Sequence, residues 1–310
     1  MSGRRPDAPA ARFESGFGCR MSQSPKVRRV LPGLAFARSL ARRVRLRYCR
    51  GAYGSFAAAR AAIRPGRAVG YDNVESSNLY FDSHDSVKPT DYAVFYWLGP
   101  LLARHPAVFD FGGHVGRLYY PFQKYLAFPP GFQWLVCDLP AVVETGREVA
   151  RQRQARHLAF TTNFRDADGL DIFFSSGTLQ YVETDLAALL AALEKRPRHV
   201  LINRVPMSDR PTWFTVQYQG HAYCPYRIEN RADFVTGLQR LGYDLVDSWR
   251  CYESSCRVLF RPGRRLRYYT GMYLRLRDEP RPMARSNDVI GGPGHGEPER
   301  PGPPSDGGTG

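Results

Sequence analysis

The chain has 310 residues, of which 43% are hydrophobic and 13% aromatic, and this content is enough for a sizeable folded core. The net charge of +15 is concentrated at the flanks, because residues 1–50 carry +11, residues 256–276 carry +6 and residues 51–255 carry no net charge. A groove that follows a phosphate backbone needs an excess of Lys and Arg within the folded domain. The neutral centre therefore argues against a nucleic-acid partner.

The six cysteines show no C-x-x-C pair, and the histidines and acids show no ligand spacing that would indicate a metal site. Cys251 and Cys256 could pair across a hairpin, although we favour reduced thiols in a cytoplasmic protein.

No run approaches the ~20 apolar residues of a membrane-spanning helix, and the N-terminus lacks the apolar core of a secretory signal. The predicted location is the cytoplasm.

Composition divides the chain into three parts. Residues 1–50 form a basic extension, within which apolar residues recur every four positions among arginines, as in an amphipathic helix (Phe36, Leu40, Val44 and Tyr48). Such a helix packs on its own domain, which we favour, or makes weak peripheral contact with an anionic membrane. Residues 276–310 are rich in Gly, Pro and charge and are predicted to be a disordered tail. The folded domain is predicted over residues 51–275, with residues 70–105 as a segment that covers the acceptor site.

Within the folded domain, short apolar runs alternate with helical patterns. The predicted strands cover Ala107–Phe111, Gln133–Cys137, Leu158–Thr161 and residues 171–174, 199–203, 243–249 and 255–260; the predicted helices cover residues 116–127, 141–153, 184–195 and 231–241. This alternation predicts an α/β fold, a three-layer Rossmann-like sheet with helices on both faces. The last two strands are predicted to form an antiparallel hairpin at its edge. In such sheets, ligands bind outside the carboxyl ends of the central strands.

The first motif is the turn after the first of these strands. Asp110 is followed by Gly112, Gly113 and Gly116, with His114 among the glycines. Glycine permits a tight turn and a close approach of the backbone to a ligand, and a following helix adds unpaired N–H groups. Neither the dinucleotide G-x-G-x-x-G pattern nor a P-loop fits. The spacing instead resembles motif I of class I methyltransferases, with His114 in place of the usual middle glycine.

Two further motifs follow the second and fourth strands. Asp138, in the run Asp-Leu-Pro with Leu139, ends the second strand, where an acid can accept hydrogen bonds from both ribose hydroxyls. An NAD site would use the same acid, so this motif indicates nucleoside binding and not methyl transfer alone. After the fourth strand, Ser176, Gly177 and Gln180 are expected to place small and polar groups beneath the cofactor.

Taken together, residues from about 70 to 260 resemble the LIC12133 family of bacterial methyltransferases, typified by a Leptospira protein. The resemblance is carried by residues 108–113, 176–181, 202–206 and 242–245, together with Trp249. It implies a seven-stranded methyltransferase sheet with an antiparallel C-terminal strand, and S-adenosyl-L-methionine as the methyl donor. The residues expected to hold this cofactor are Asp110, Gly112, Gly113, His114, Gly116, Asp138, Leu139, Ser176, Gly177 and Gln180.

The acceptor is less well defined. Two aromatic-rich segments, residues 71–96 and 213–226, are expected to shape a site for a small molecule or a glycan precursor. O-methylation needs a base near the acceptor hydroxyl, and His221 and His84 are the best candidates, with His114 a third. Alignment of the reactants without a base is an alternative. Two other functions stay open: a catalytically inactive methyltransferase-like scaffold, motivated by His114, and a nicotinamide-dependent oxidoreductase.

Overall fold

A seven-stranded sheet forms the centre of the protein, for which a computed structural model describes residues 48–70, 86–219 and 222–277. Its strands, in spatial order, are β10 (Tyr243–Cys251), β13 (Tyr269–Leu276), β6 (His199–Val205), β5 (Ile172–Ser176), β2 (Ala107–Phe111), β3 (Gln133–Cys137) and β4 (Leu158–Thr161). The C-terminal strand β13 runs antiparallel to both neighbours, and the other six run parallel to one another. The predicted α/β sheet with an antiparallel C-terminal strand is confirmed.

Helices cover both faces of this sheet. One face packs against three helices, namely α2 (Asp91–Leu102), α3 (Tyr119–Phe122) and α4 (Pro140–Gln152), and the other against two, namely α5 (Leu186–Ala191) and α6 (Arg231–Arg240). Neighbouring strand residues alternate between the two cores: Val108 packs in the first and Phe109 in the second, and both are fully buried. Burial on both faces explains why the sequences of these strands are nearly continuous apolar runs.

A second sheet was not predicted. Its six strands, in spatial order, are β12 (Arg265–Leu266), β11 (Cys256–Val258), β1 (Tyr48–Tyr53), β8 (Trp213–Tyr218), β9 (Tyr223–Asn230) and β7 (Met207–Ser208). A short helix, α1 (Phe56–Ala61), follows β1. Trp213, Tyr226 and Ile228 form part of its separate core. The aromatic segment after β6, which shows no clear periodicity in sequence, is therefore the antiparallel pair β8–β9.

The predicted hairpin of residues 243–249 with 255–260 is wrong. Strand β10 pairs with β13, whereas β11 pairs in parallel with β1 in the second sheet. Six of the eight residues of β13 are buried, so this strand, and not β11, supplies the apolar surface that the sheet needs beside β6.

The predicted choice of free thiols over a Cys251–Cys256 pair agrees with the fold. The Cys251 Sγ lies 3.2 Å from the Asn203 Oδ1, whereas the Cys256 Sγ lies 3.2 Å from the Cys49 Sγ. The separation of β10 and β11 into different sheets explains these different partners. The five cysteines within the described residues are free thiols.

Two helices are shorter than predicted, and several predictions fall outside the described residues. The helix predicted over residues 116–127 is reduced to α3, where Pro121 has no N–H to donate to a longer helix. The helix predicted over residues 184–195 is reduced to α5.

Several predicted features lie outside the described residues: most of the basic extension, most of the Gly/Pro-rich tail, and both His84 and His221. Within the described part of the chain, no helix has the length and apolar character needed to cross a membrane.

Candidate functional site

A cavity of about 610 Å³ opens beside the turn that joins β2 to α3. This volume is in the range of small-molecule and cofactor sites. Eight of the ten residues predicted to hold the cofactor line it, namely Asp110, Gly112, Gly113, His114, Asp138, Leu139, Ser176 and Gly177. The other two do not line it: Gly116 packs close to Leu158 of β4, and the buried Gln180 donates from its Nε2 to the Gly177 carbonyl at 2.7 Å.

The glycine turn is packed so closely that side chains do not fit at two of its positions. A Cβ on Gly112, where φ is +73°, would lie 2.1 Å from the Thr178 Oγ1, and a Cβ on Gly113 would lie 2.2 Å from the Asp110 Oδ2. His114, which replaces the expected middle glycine, adopts φ of +57°. The turn therefore keeps a glycine-like left-handed backbone at His114 although the residue carries a side chain.

Gly112→Ala is expected to destabilise the fold by about 3 kcal/mol, because it combines a left-handed backbone with a steric clash against Thr178. Gly131→Ala is the matched control, since Gly131 has a similar φ of +75° but open space where the Cβ would be. Urea unfolding should give a loss of only about 1 kcal/mol for this control. Equal losses for the two variants would show that the clash with Thr178 contributes nothing.

Asp138 connects the tip of β3 to the glycine turn. Its Oδ2 accepts a hydrogen bond from the His114 N–H at 2.8 Å, and its Oδ1 accepts one from the Leu139 N–H at 2.8 Å. A carboxylate is an acceptor of hydrogen bonds only, and ribose hydroxyls can donate to it. Because Asp138 lines the cavity, its carboxylate lies where a bound molecule could contact it.

Asp110 is a buried acid at the same end of the cavity. Its Oδ2 accepts a hydrogen bond from the Trp134 Nε1 at 2.9 Å, whereas its buried Oδ1 has no hydrogen-bond partner among the described residues. Burial raises the pKa of Asp110 to about 7; the Trp134 hydrogen bond opposes this shift and the charge of Asp138 adds to it. A buried acceptor without a partner fits a ligand that brings a hydrogen-bond donor or a positive charge.

One partner of a buried ion pair, Arg204, forms another part of the cavity wall. Arg204, which adopts φ of +57° in β6, lines the cavity and is only 7% exposed. Its Nη2 donates to the fully buried Asp91 and its Nη1 donates to the Ser176 Oγ at 2.8 Å. Its Nε lies 3.7 Å from a carboxylate oxygen of Glu253. Neither Arg204 nor Asp91 was predicted as a site residue, although Arg204 lies in one of the segments that carry the family resemblance.

The ion pair belongs to a wider buried network. The Asn203 Nδ2 donates to the Asp91 Oδ1 at 3.2 Å, and the Asn203 Oδ1 accepts from the Trp249 Nε1 at 3.0 Å. This network joins α2, β6 and β10. Lys88 lies near it, and burial followed by the positive charges of Arg204 and Arg117 lowers the pKa of Lys88 to about 8. Charged residues of both signs therefore line the cavity, with Asp110 and Asp138 near the glycine turn and Arg204, paired with Asp91, on another wall.

Tyr181 brings a phenol group to the cavity. Its hydroxyl donates to the Gln217 Oε1 at 2.7 Å and accepts from the Gln219 Nε2 at 2.8 Å. Both glutamines belong to the chain around β8, so the second sheet contributes to this wall. The described residues contain no group of three or more His, Cys, Asp or Glu side chains that could hold a metal ion.

Comparisons with known proteins reveal fold similarities at low identity. No protein-family model matches the chain, and no curated protein matches it. Among solved structures, it is similar to a mitomycin 7-O-methyltransferase, with 17% identity, a TM-score of 0.38 and coverage of 57% of this chain and 50% of that one. It is also similar to the CcbJ methyltransferase from Streptomyces caelestis, with 14% identity, a TM-score of 0.44 and coverage of 67% and 98%.

A third similar structure contains ligands. This is the Burkholderia thailandensis 1,6-didemethyltoxoflavin-N1-methyltransferase, solved with 1,6-didemethyltoxoflavin and S-adenosylhomocysteine bound. Its identity to this chain is 22% and its TM-score is 0.40, with coverage of 62% of this chain and 78% of that one. The match spans half the length of the mitomycin enzyme.

Proposed function

We propose that this chain is an S-adenosyl-L-methionine-dependent methyltransferase that acts on a small molecule or a glycan precursor by O-methylation. The observation that carries the proposal is the cavity beside the glycine turn, with Asp138 at the tip of the neighbouring strand. A glycine turn of this kind, an acid one strand along and an open cavity between them are the features that a nucleoside cofactor requires.

The residues at the acidic end of the cavity fit the chemistry of this donor. Ribose hydroxyls are hydrogen-bond donors, which suit the oxygens of Asp138. The donor also carries an ammonium group and a sulfonium, and the partnerless Oδ1 of Asp110 suits a positively charged hydrogen-bond donor. Apolar side chains on the same cavity, those of Leu139, Val142 and Phe164, suit the face of an adenine ring.

When bound, the donor supplies an electrophilic methyl group, and the chain's own contribution is to align the acceptor and exclude water. Tyr181 and Arg204 bring polar groups to the cavity, and both are held by neighbouring side chains. We propose that they orient the acceptor. The proposed bases His84 and His221 lie outside the described residues. Of the segment 70–105 proposed to cover the acceptor site, residues 71–85 also lie outside them, whereas Asp91–Leu102 forms helix α2 packed against the sheet.

Direct binding measurements test this function. Calorimetry is expected to give micromolar affinity for S-adenosylmethionine and S-adenosylhomocysteine, because both contain the nucleoside that the cavity fits. NAD and NADP, screened in the same way, should show no binding, since the dinucleotide glycine pattern is missing. Binding of NAD alone would indicate an oxidoreductase. A folded protein that binds none of these molecules would indicate an inactive scaffold.

The pH dependence of cofactor binding tests the proposed role of Asp110. Because the pKa of Asp110 is raised to about 7, the carboxyl is mostly protonated at pH 6 and mostly ionised at pH 8. Only the ionised form attracts the ammonium group, so the affinity for S-adenosylhomocysteine should rise by about tenfold between these pH values. Calorimetry at pH 6, 7 and 8 measures this rise. Asp110→Asn should bind more weakly and lose the dependence; an unchanged pH profile in this variant would remove Asp110 from the proposal.

A further inference from the structure

An exposed aromatic side chain stands at the tip of the hairpin formed by β11 and β12, which we call the arginine hairpin (residues 256–267). Phe260 is 99% exposed and has φ of +58°. The preceding Leu259 is also exposed. A left-handed backbone is unfavourable for a bulky residue, and exposure of an aromatic ring to water is unfavourable as well. This tip is therefore a candidate for contact with a partner.

The arginine hairpin is also strongly basic. The hairpin carries four exposed arginines, namely Arg257, Arg261, Arg265 and Arg267, and residues 256–276 contain no acid. The half-buried Arg264 instead stacks on Trp213, with its guanidinium carbon 4.7 Å from the ring centroid, and ties the hairpin to β8. An exposed apolar tip on a hairpin with four exposed arginines suits a partner that is both anionic and apolar.

We propose that the arginine hairpin docks on an anionic lipid bilayer, with Phe260 at the boundary between headgroups and acyl chains and the arginines on lipid phosphates. Aromatic rings are favoured at this boundary, and arginines beside an anionic surface strengthen the attachment. A nucleic acid fits less well, because a single exposed ring offers little base stacking.

Sedimentation of the full chain with phosphatidylglycerol vesicles tests this surface. Wild type should bind these vesicles at least tenfold more tightly than phosphatidylcholine vesicles. Phe260→Ser should weaken binding by about tenfold through lost apolar contact. The double variant Arg261→Gln/Arg265→Gln should weaken it by about 25-fold, since each arginine near an anionic surface contributes about fivefold.

A control variant of equal charge separates a local effect from the effect of net charge. The double variant Arg151→Gln/Arg240→Gln removes two exposed arginines from α4 and α6, and it should bind nearly as wild type does. Equal losses in both double variants, or unchanged binding in Phe260→Ser, would overturn the assignment of the hairpin. So would wild type that binds a single-stranded oligonucleotide through Phe260 and ignores the vesicles.

Fluorescence reports whether the tip of the hairpin itself enters the bilayer, which sedimentation does not show. Phe260→Trp should show an emission shift to the blue on addition of phosphatidylglycerol vesicles, relative to wild type with its four tryptophans. An indole that stays in water would give no such shift, and this outcome would also overturn the proposal.

Discussion

Asp138→Ala should reduce the affinity for S-adenosylhomocysteine by at least about 100-fold. The substitution removes the acceptors proposed for the two ribose hydroxyls, and a hydrogen bond to a charged group is worth about 1.5–3 kcal/mol. It also removes the bond from the His114 N–H, which holds the glycine turn against β3. Calorimetry at pH 8, where Asp110 is mostly ionised, measures the loss without interference from its titration.

Two further variants show whether this loss is specific. Asp138→Asn keeps one acceptor oxygen and the shape of the side chain, so its affinity should lie between those of wild type and Asp138→Ala. Asp166→Ala is the positional control, because Asp166 is an exposed acid just after the neighbouring strand β4 and does not line the cavity. Its affinity should match that of wild type. A folded Asp138→Ala protein with wild-type affinity would remove Asp138 from the cofactor site.

The elements that were predicted with correct bounds are those whose sequence pattern lies within a few consecutive residues. Strands β2, β3 and β4 are short apolar runs bounded by polar or turn residues, and their predicted bounds agree with the structure. The glycine turn and Asp138 were likewise recognised from spacing along the chain, and the structure brings them to one cavity. In a parallel sheet the carboxyl ends of neighbouring strands share an edge, so this proximity follows from the strand order.

The elements that were missed depend on contacts between distant parts of the sequence. Strand β13 follows an arginine-rich stretch, and only its place between β6 and β10 explains why it is buried. The second sheet combines β1 with strands more than 150 residues later in the chain. Arg204 and Asp91 are also far apart in sequence, and no local pattern indicates that they pair. Predicting this ion pair requires the packing of α2 against β6.

Asp91→Ala is expected to destabilise the fold by about 3–5 kcal/mol. Both side chains of the pair are buried, and removal of the acid leaves the guanidinium of Arg204 without its main counter-charge. The Asn203 Nδ2 loses its acceptor in the same variant. Urea unfolding measures the change. Glu148→Ala, which breaks the exposed ion pair with Arg151 on α4, is the control and should leave the unfolding midpoint unchanged.

A double substitution separates the cost of an unpaired charge from the value of the pair. Replacing both partners, as in Asp91→Leu/Arg204→Met, removes the buried charges together, so much of the stability lost in Asp91→Ala should return. The same double variant is expected to lose the proposed orientation of the acceptor, because an apolar side chain replaces Arg204 in the cavity wall. S-adenosylhomocysteine binding should persist, since Asp110 and Asp138 are intact. A double variant as unstable as Asp91→Ala would show that the pair stabilises the fold by more than mutual neutralisation.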